Sequence, residues 1–410
     1  MGKITDRKKV TLAISLFMAV YFISYLTRVN YNTVLAEVTS NGGLTKADAS
    51  LPLTGLFITY GFGQLVSGFL GDRIQPKLII FAGLLITTAM NLVMPFCAGI
   101  GIMTAVWCVN GFAQAMIWPP LVKIMTAVFT TEDYKKACVR VSWSSSLGTI
   151  AVYLLAPVCI SISGWKSIFI ICGAFSAVMA FIWFSECTKL EKLAEVSYQS
   201  KKAATTISEN IRFTPGVIIL MAIIMLAIVM QGLLRDGLTS WMPVYISDEF
   251  DISSSISILT GVILPVFSIL SFQATSFLNR KVIKNEVACA AAIFAAGTIF
   301  SAVLYFIAFK QPVLSVAMFA LITGCMHGVN LILICMLPQY FEKFGKVSFI
   351  SGLFNSCTYV GSAASIYGVA VITDRFGWHT TTGVWLIVAV LGTILCAVSI
   401  RSWRKHMAAD

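Results

Sequence analysis

Charge is what this chain of 410 residues has least of: Asp, Glu, Lys and Arg make up 11% of it, against about 25% in an average soluble protein. With 58% of the residues hydrophobic, so little charge cannot coat a water-soluble fold of this length. A zinc- or disulfide-like framework is also missing. The eleven cysteines are scattered through apolar stretches, with no CxxC pair and no metal-ligand spacing, and they read as small packing residues. No nucleophile–base pair or metal constellation stands out, which argues against an enzyme and gives no reason to expect a metal or cofactor. What the chain does have is a series of apolar runs of about 20 residues, each long enough to cross a bilayer core.

The runs fall near 10–38, 50–71, 77–97, 101–128, 138–162 and 165–186, and then near 214–246, 253–279, 285–309, 312–341, 347–373 and 377–400. A polar segment, 187–213, separates the two sets. The fold class expected is therefore an all-α membrane protein with twelve spans: an N-terminal six-helix bundle over 1–186, a linker over 187–213 and a C-terminal six-helix bundle over 214–410. Lys3, Arg7, Lys8 and Lys9 precede an apolar run too long for a signal-peptide core, which reads as a retained first span.

Of the 29 Lys and Arg, only Lys46, Lys166, Lys310 and Arg375 lie in one set of loops. Arg28, Lys123 and Arg235 lie inside spans, and the rest lie in the opposite loops and both termini. The positive-inside rule then puts both termini and the linker in the cytoplasm. The net charge of +11 is thus a loop property and implies no nucleic-acid partner. The short tails point to a bacterial cytoplasmic membrane, and a monomer is expected.

The halves repeat. Tyr-Leu-Thr-Arg28 in span 1 echoes Gly-Leu-Leu-Arg235 in span 7, and Gly164-Trp165-Lys166 echoes Gly377-Trp378-His379 at a similar offset. In transporters such repeats place the binding site near the midplane, between the halves. An arginine within a span costs about 2.5–3.5 kcal/mol on insertion scales, so two at matching places suggest an anion site. Guanidinium groups present a fixed fork of donors suited to phosphate or carboxylate oxygens. Ser24, Tyr25, Tyr31 and Asn32 share the face of Arg28 by three-to-four spacing, which makes a wet surface there.

Other polar residues within spans have two readings each. Lys123 follows the Pro119-Pro120 break; it either draws in anions from the cytoplasm or snorkels to the interface. Thr323, His327 and Asn330 fall on one helical face and either line a cavity or pack. Ser142, Ser146, Thr149 and Tyr153 form a similar stripe, more in keeping with helix packing. Asp236 neighbours Arg235, but neighbours on a helix point about 100° apart, so it is expected to face another surface. Asp236 and His327 are also the candidates for a proton-coupling group.

Gly68-Phe-Leu-Gly-Asp72-Arg73-Ile-Gln-Pro-Lys77 resembles the signature loop of the major facilitator superfamily, which implies that Asp72, Arg73 and Lys77 form a cytoplasmic ionic gate. A degraded copy, Phe277-Leu-Asn279-Arg280-Lys281, has Asn in place of the acid. Four further stretches extend the likeness. They are Tyr25-Leu-Thr-Arg28-Val-Asn-Tyr31 with Tyr60-Gly-Phe-Gly-Gln64; Trp118-Pro119-Pro120-Leu-Val-Lys123; Leu-Leu-Arg235-Asp-Gly-Leu-Thr-Ser-Trp241-Met-Pro243-Val-Tyr245; and Ser351-Gly352-Leu-Phe-Asn355 with Gly361-Ser362 and Asp374-Arg-Phe-Gly-Trp378. Together these resemble the organophosphate:phosphate antiporter family, which includes glycerol-3-phosphate and hexose-phosphate transporters. The resemblance implies that Arg28 and Arg235 bind a substrate phosphate, with Tyr25, Tyr31, Lys123, His327, Asn330 and Asn355 as further candidates. It also implies alternating access, with inorganic phosphate as the counter-substrate.

Three positions depart from the family pattern. Val29 and Gln64 stand where lysines are common, and Trp143-Ser-Ser-Ser-Leu147-Gly148 stands where His-Asn often follows. Each change removes a base or a titratable donor. The substrate expected is a small organic anion, most readily a phosphate ester. A proton-coupled organic-acid symporter and a transporter-like ligand sensor remain as alternatives.

Overall fold

The computed structural model describes residues 3–42, 46–194, 215–251, 263–307 and 311–406, and the regular structure among them is helical throughout. In chain order the helices are α1 (Arg7–Gly42), α2 (Lys46–Gly71), α3 (Pro76–Val93), α4 (Ile100–Ala115), α5 (Trp118–Val128), α6 (Thr131–Ser163), α7 (Ser167–Leu193), α8 (Pro215–Phe250), α9 (Ile263–Phe277), α10 (Glu286–Phe306) and α11 (Pro312–Asn330). The run Val347–His406 is broken at Gly377, whose φ of 77° no continuing helix allows, giving α12 (347–376) and α13 (378–406). Eleven segments among the described residues are long and apolar enough to cross a membrane, with α4 and α5 forming one of them. The expected span 253–279 is described only from Ile263 onward.

Local chemistry sets the helix ends. The α4–α5 break sits just before Trp118-Pro119-Pro120: prolines have no N–H to give to the carbonyls four residues back. Thr130 caps α6 by accepting from the backbone N–H of Asp133 at 3.3 Å, and Asn285 caps α10 through Ala288 at 2.8 Å, each satisfying a donor that the first turn leaves open. Helix α7 runs on to Leu193, so the first part of the expected linker continues the sixth span. The remainder of that linker lies outside the described residues.

The chain forms two compact units, one of residues 1–210 with 341–356, the other of 211–340 with 357–410. In the first, α1 packs on α6 and α7, α2 on α4, and α3 on α7. Glycines allow the close crossings. A Cβ on Gly111 of α4 would lie 2.5 Å from the Leu56 carbonyl oxygen of α2, and small residues of this kind are how membrane helices approach without a hydrophobic driving force. Tyr31, Trp107 and Phe169 fill the core of this unit at ring distances of 5.5–6.3 Å. In the second unit, α11 packs against α8, α9 and α10.

Candidate functional site

In the first unit Arg28 sits on α1 with 8% of its surface exposed. Its guanidinium carbon lies 4.1 Å from the Tyr25 ring centroid and 4.8 Å from that of Tyr60, so two π-faces meet the cation as it leaves water. The aromatic wall continues from Tyr25 to Tyr21 at 5.2 Å and from Tyr21 to Trp118 at 4.9 Å. The buried indole N–H of Trp118 has no hydrogen-bond partner.

A polar network anchors this stretch of α1 to its neighbours. Ser24 donates to Gln114 at 2.6 Å, and Gln114 donates to the Thr27 hydroxyl at 2.8 Å. Asn110 and Asn91 both donate to the Thr27 carbonyl, at 3.2 and 3.3 Å, and Asn30 donates to Asn91 at 2.7 Å. Bonds between helices hold α1 in register where the solvent offers no alternative partner. The expected wet face of Arg28 is therefore narrower than its spacing suggests. Ser24 is consumed by Gln114, Tyr31 is a core ring, and Tyr25 is the predicted neighbour brought to the guanidinium.

The expected gate residues divide. Asp72 accepts from the backbone N–H groups of Ser348 and Phe349 at 3.1 and 2.8 Å, capping the first turn of α12 as a carboxylate does at a helix N-terminus. Lys123 lies 3.5 Å from the Asp72 carboxylate and donates to the Gly71 carbonyl at 2.8 Å, so it belongs to this cluster. Burial pushes the Asp72 carboxyl above its ordinary value, while the Lys123 ammonium and the two backbone donors pull it down against that shift. Arg73 lies over the Phe69 ring at 3.6 Å and Lys77 pairs with Glu191 at 2.7 Å, so neither joins Asp72. In the degraded copy, Asn279 bonds the Ile283 carbonyl of its own turn at 3.1 Å.

Gln64 has a structural role here. The carbonyl of Ala115, which Pro119 leaves without its helical donor, accepts from Gln64 Nε2 at 3.4 Å, and Gln64 Oε1 accepts from Asn355 at 3.0 Å. Gln64 thus ties the α4–α5 break to Asn355, in the segment 341–356 that belongs to this unit.

In the second unit Arg235 and Asp236 correct the helical-projection expectation. Their side chains form a two-point ion pair, Nε to Oδ1 at 2.7 Å and Nη2 to Oδ2 at 2.8 Å. The 100° between their Cα–Cβ directions is bridged by the long, flexible arginine stem, and the partial burial of the pair strengthens the attraction. Ser362 of α12 also donates to Asp236 Oδ2. One turn earlier, Gln231 donates to the Met326 carbonyl of α11 at 3.1 Å and accepts from Thr358 at 3.4 Å. His327 lies edge-on to Phe272 at 5.6 Å and within electrostatic reach of both Arg235 and Asp236. Asn330 ends α11, and Cys335 Sγ is 4.0 Å from its Oδ1. Among the described residues no group of His, Cys, Asp and Glu could hold a metal.

Residues 17–366 match the Major Facilitator Superfamily. A probable hexose phosphate transport protein of Chlamydia trachomatis is 27% identical over 168 residues, covering 41% of this chain and 37% of that protein. The glycerol-3-phosphate transporter of Bacillus subtilis is 22% identical over 98% of this chain and 94% of its own length. The membrane sensor protein UhpC of Escherichia coli is 20% identical over 91% of this chain and 88% of its own. Among solved structures, the transporter FucP in its outward conformation aligns with a TM-score of 0.74 at 12% identity, covering 95% of this chain and 99% of that one. The helical architecture, the glycine-lined crossings and the sequence match over most of the chain agree: this membrane protein belongs to the Major Facilitator Superfamily.

Proposed function

We propose that the chain is a secondary transporter of a small phosphate ester, exchanged for inorganic phosphate by alternating access, with both termini in the cytoplasm of a bacterial cell and two six-helix bundles doing the work. One observation carries the reading: each unit holds a guanidinium within a membrane-spanning helix, in a chain similar along nearly its whole length to a glycerol-3-phosphate transporter. Arg28 and Arg235 are the phosphate ligands in this account. The Tyr25–Tyr21–Trp118 wall, with its unpartnered indole N–H, suits the organic part of the ester. A bound dianion offsets the charge of the guanidiniums as the carrier moves, so the loaded form changes conformation faster than the unloaded one. That difference favours exchange over net flux.

Thermal stabilisation of the purified full chain by a panel of phosphate esters and organic acids tests the substrate class. Glycerol 3-phosphate and hexose 6-phosphates should raise the unfolding temperature, and a response confined to carboxylic acids would overturn the assignment.

A second reading, a ligand sensor, is favoured by the match to UhpC. It predicts ligand binding with no exchange activity in proteoliposomes.

A further inference from the structure

We propose that Asp236 is a built-in stand-in for the substrate's anionic group: it trades places with the substrate on Arg235, weakening resting affinity and speeding release. The inference rests on Arg235 being a substrate ligand, as read above.

The geometry is specific. Asp236 Oδ1 and Oδ2 take Arg235 Nε and Nη2 at 2.7 and 2.8 Å, one of the two edges from which a guanidinium holds a phosphate at two points. A substrate that engages this edge must displace the carboxylate. Because Asp236 is covalently adjacent, its effective concentration at Arg235 is of the millimolar order or higher, and it competes with every incoming anion by the same factor. Ligands no stronger than a carboxylate fall below useful affinity first. A phosphate monoester, with a charge of about −1.5 to −2 at neutral pH and three acceptor oxygens, stays above that threshold.

Displacement is feasible because the carboxylate is not stranded. Ser362 already donates to Oδ2, and that hydrogen bond stays with the carboxylate when Arg235 is taken. The reverse step matters equally: as the substrate departs, Asp236 retakes the fork, so Arg235 is never left bare. In the packing around it, a Cβ on Gly237 would come within 2.0 Å of the Ser365 hydroxyl, and Gly232 and Gly361 allow equally close approaches of α8 and α12. The backbone beside the pair is therefore held, and the exchange is confined to side chains.

The test is Asp236→Asn in the full-length protein, with inorganic phosphate as probe. Binding to protein in nanodiscs should tighten by about tenfold or more, the scale expected when a partly buried competing ion pair is removed. Phosphate exchange in proteoliposomes should show a lower KM together with a lower maximal rate, since release becomes the slow step. Asp236→Glu, which keeps the competing charge, should tighten phosphate binding by much less than Asp236→Asn does. An unchanged or weaker affinity in Asp236→Asn would mean that Asp236 only orients Arg235, and would overturn the proposal. An infrared difference spectrum of the wild type needs no variant: phosphate, but not chloride, should shift a carboxylate band, and an unshifted carboxylate region would equally overturn it. If the wild type binds no phosphate at all while Asp236→Asn is also silent, the underlying transport reading fails, and the inference with it.

Discussion

Arg28 and Arg235 are each a guanidinium within a membrane-spanning helix, and each is met by groups that soften the cost of burial: two tyrosine rings for Arg28, a carboxylate for Arg235. Both arginines were legible in the sequence, because a charge inside an apolar run is conspicuous and costly. Their partners were not. A helical projection places Cβ atoms and says nothing of where a long stem carries its head group, which is why Asp236 was expected on another surface. If the arginines bind phosphate, Arg28→Lys and Arg235→Lys should each weaken phosphate binding by about tenfold or more in calorimetry, since lysine keeps the charge but lacks the fork. Near-normal affinity in both variants would remove them from the site.

At the level of elements, the helices and the Pro119-Pro120 break follow from apolar run length and proline chemistry. Polar side chains inside spans were harder to place, since a residue facing a cavity and one bonding another helix have the same spacing. Ser24, Thr27, Asn30, Asn91, Asn110 and Gln114 come from α1, α3 and α4, and no local pattern announces that they form one network. By sequence Gln64 stands where a lysine is common; its partners show an amide serving a carbonyl that proline left open. Two consequences can be measured. Asp72→Asn loses a charge and one acceptor at the start of α12, which should weaken the cap by about 0.5–2 kcal/mol. Hydrogen exchange at the Ser348 and Phe349 amides should then accelerate, and unchanged protection would deny Asp72 this capping role. Gly111→Ala forces a Cβ against Leu56 and Thr59, which should cost about 1–3 kcal/mol as overpacking and lower the thermal unfolding midpoint.

For the whole molecule, composition alone implied a polytopic membrane protein, and the resemblance carried by Gly68–Lys77 and the arginine-bearing stretches implied the superfamily that the comparisons give. The grouping of residues 341–356 with the first unit was invisible to the repeat pattern, because it depends on contacts made far along the chain: Lys3 with Glu342 at 2.8 Å, Asp72 with the start of α12, Gln64 with Asn355. Anion exchange by this chain depends, in the transport reading, on both arginines. Its most direct test is uptake of labelled phosphate into proteoliposomes holding the full chain, with and without internal phosphate. The account predicts that internal phosphate accelerates uptake, that glycerol 3-phosphate and glucose 6-phosphate compete for it, and that Arg28→Lys and Arg235→Lys abolish it. Uptake that proceeds equally well into liposomes containing no exchangeable anion, or that survives both substitutions, would contradict it.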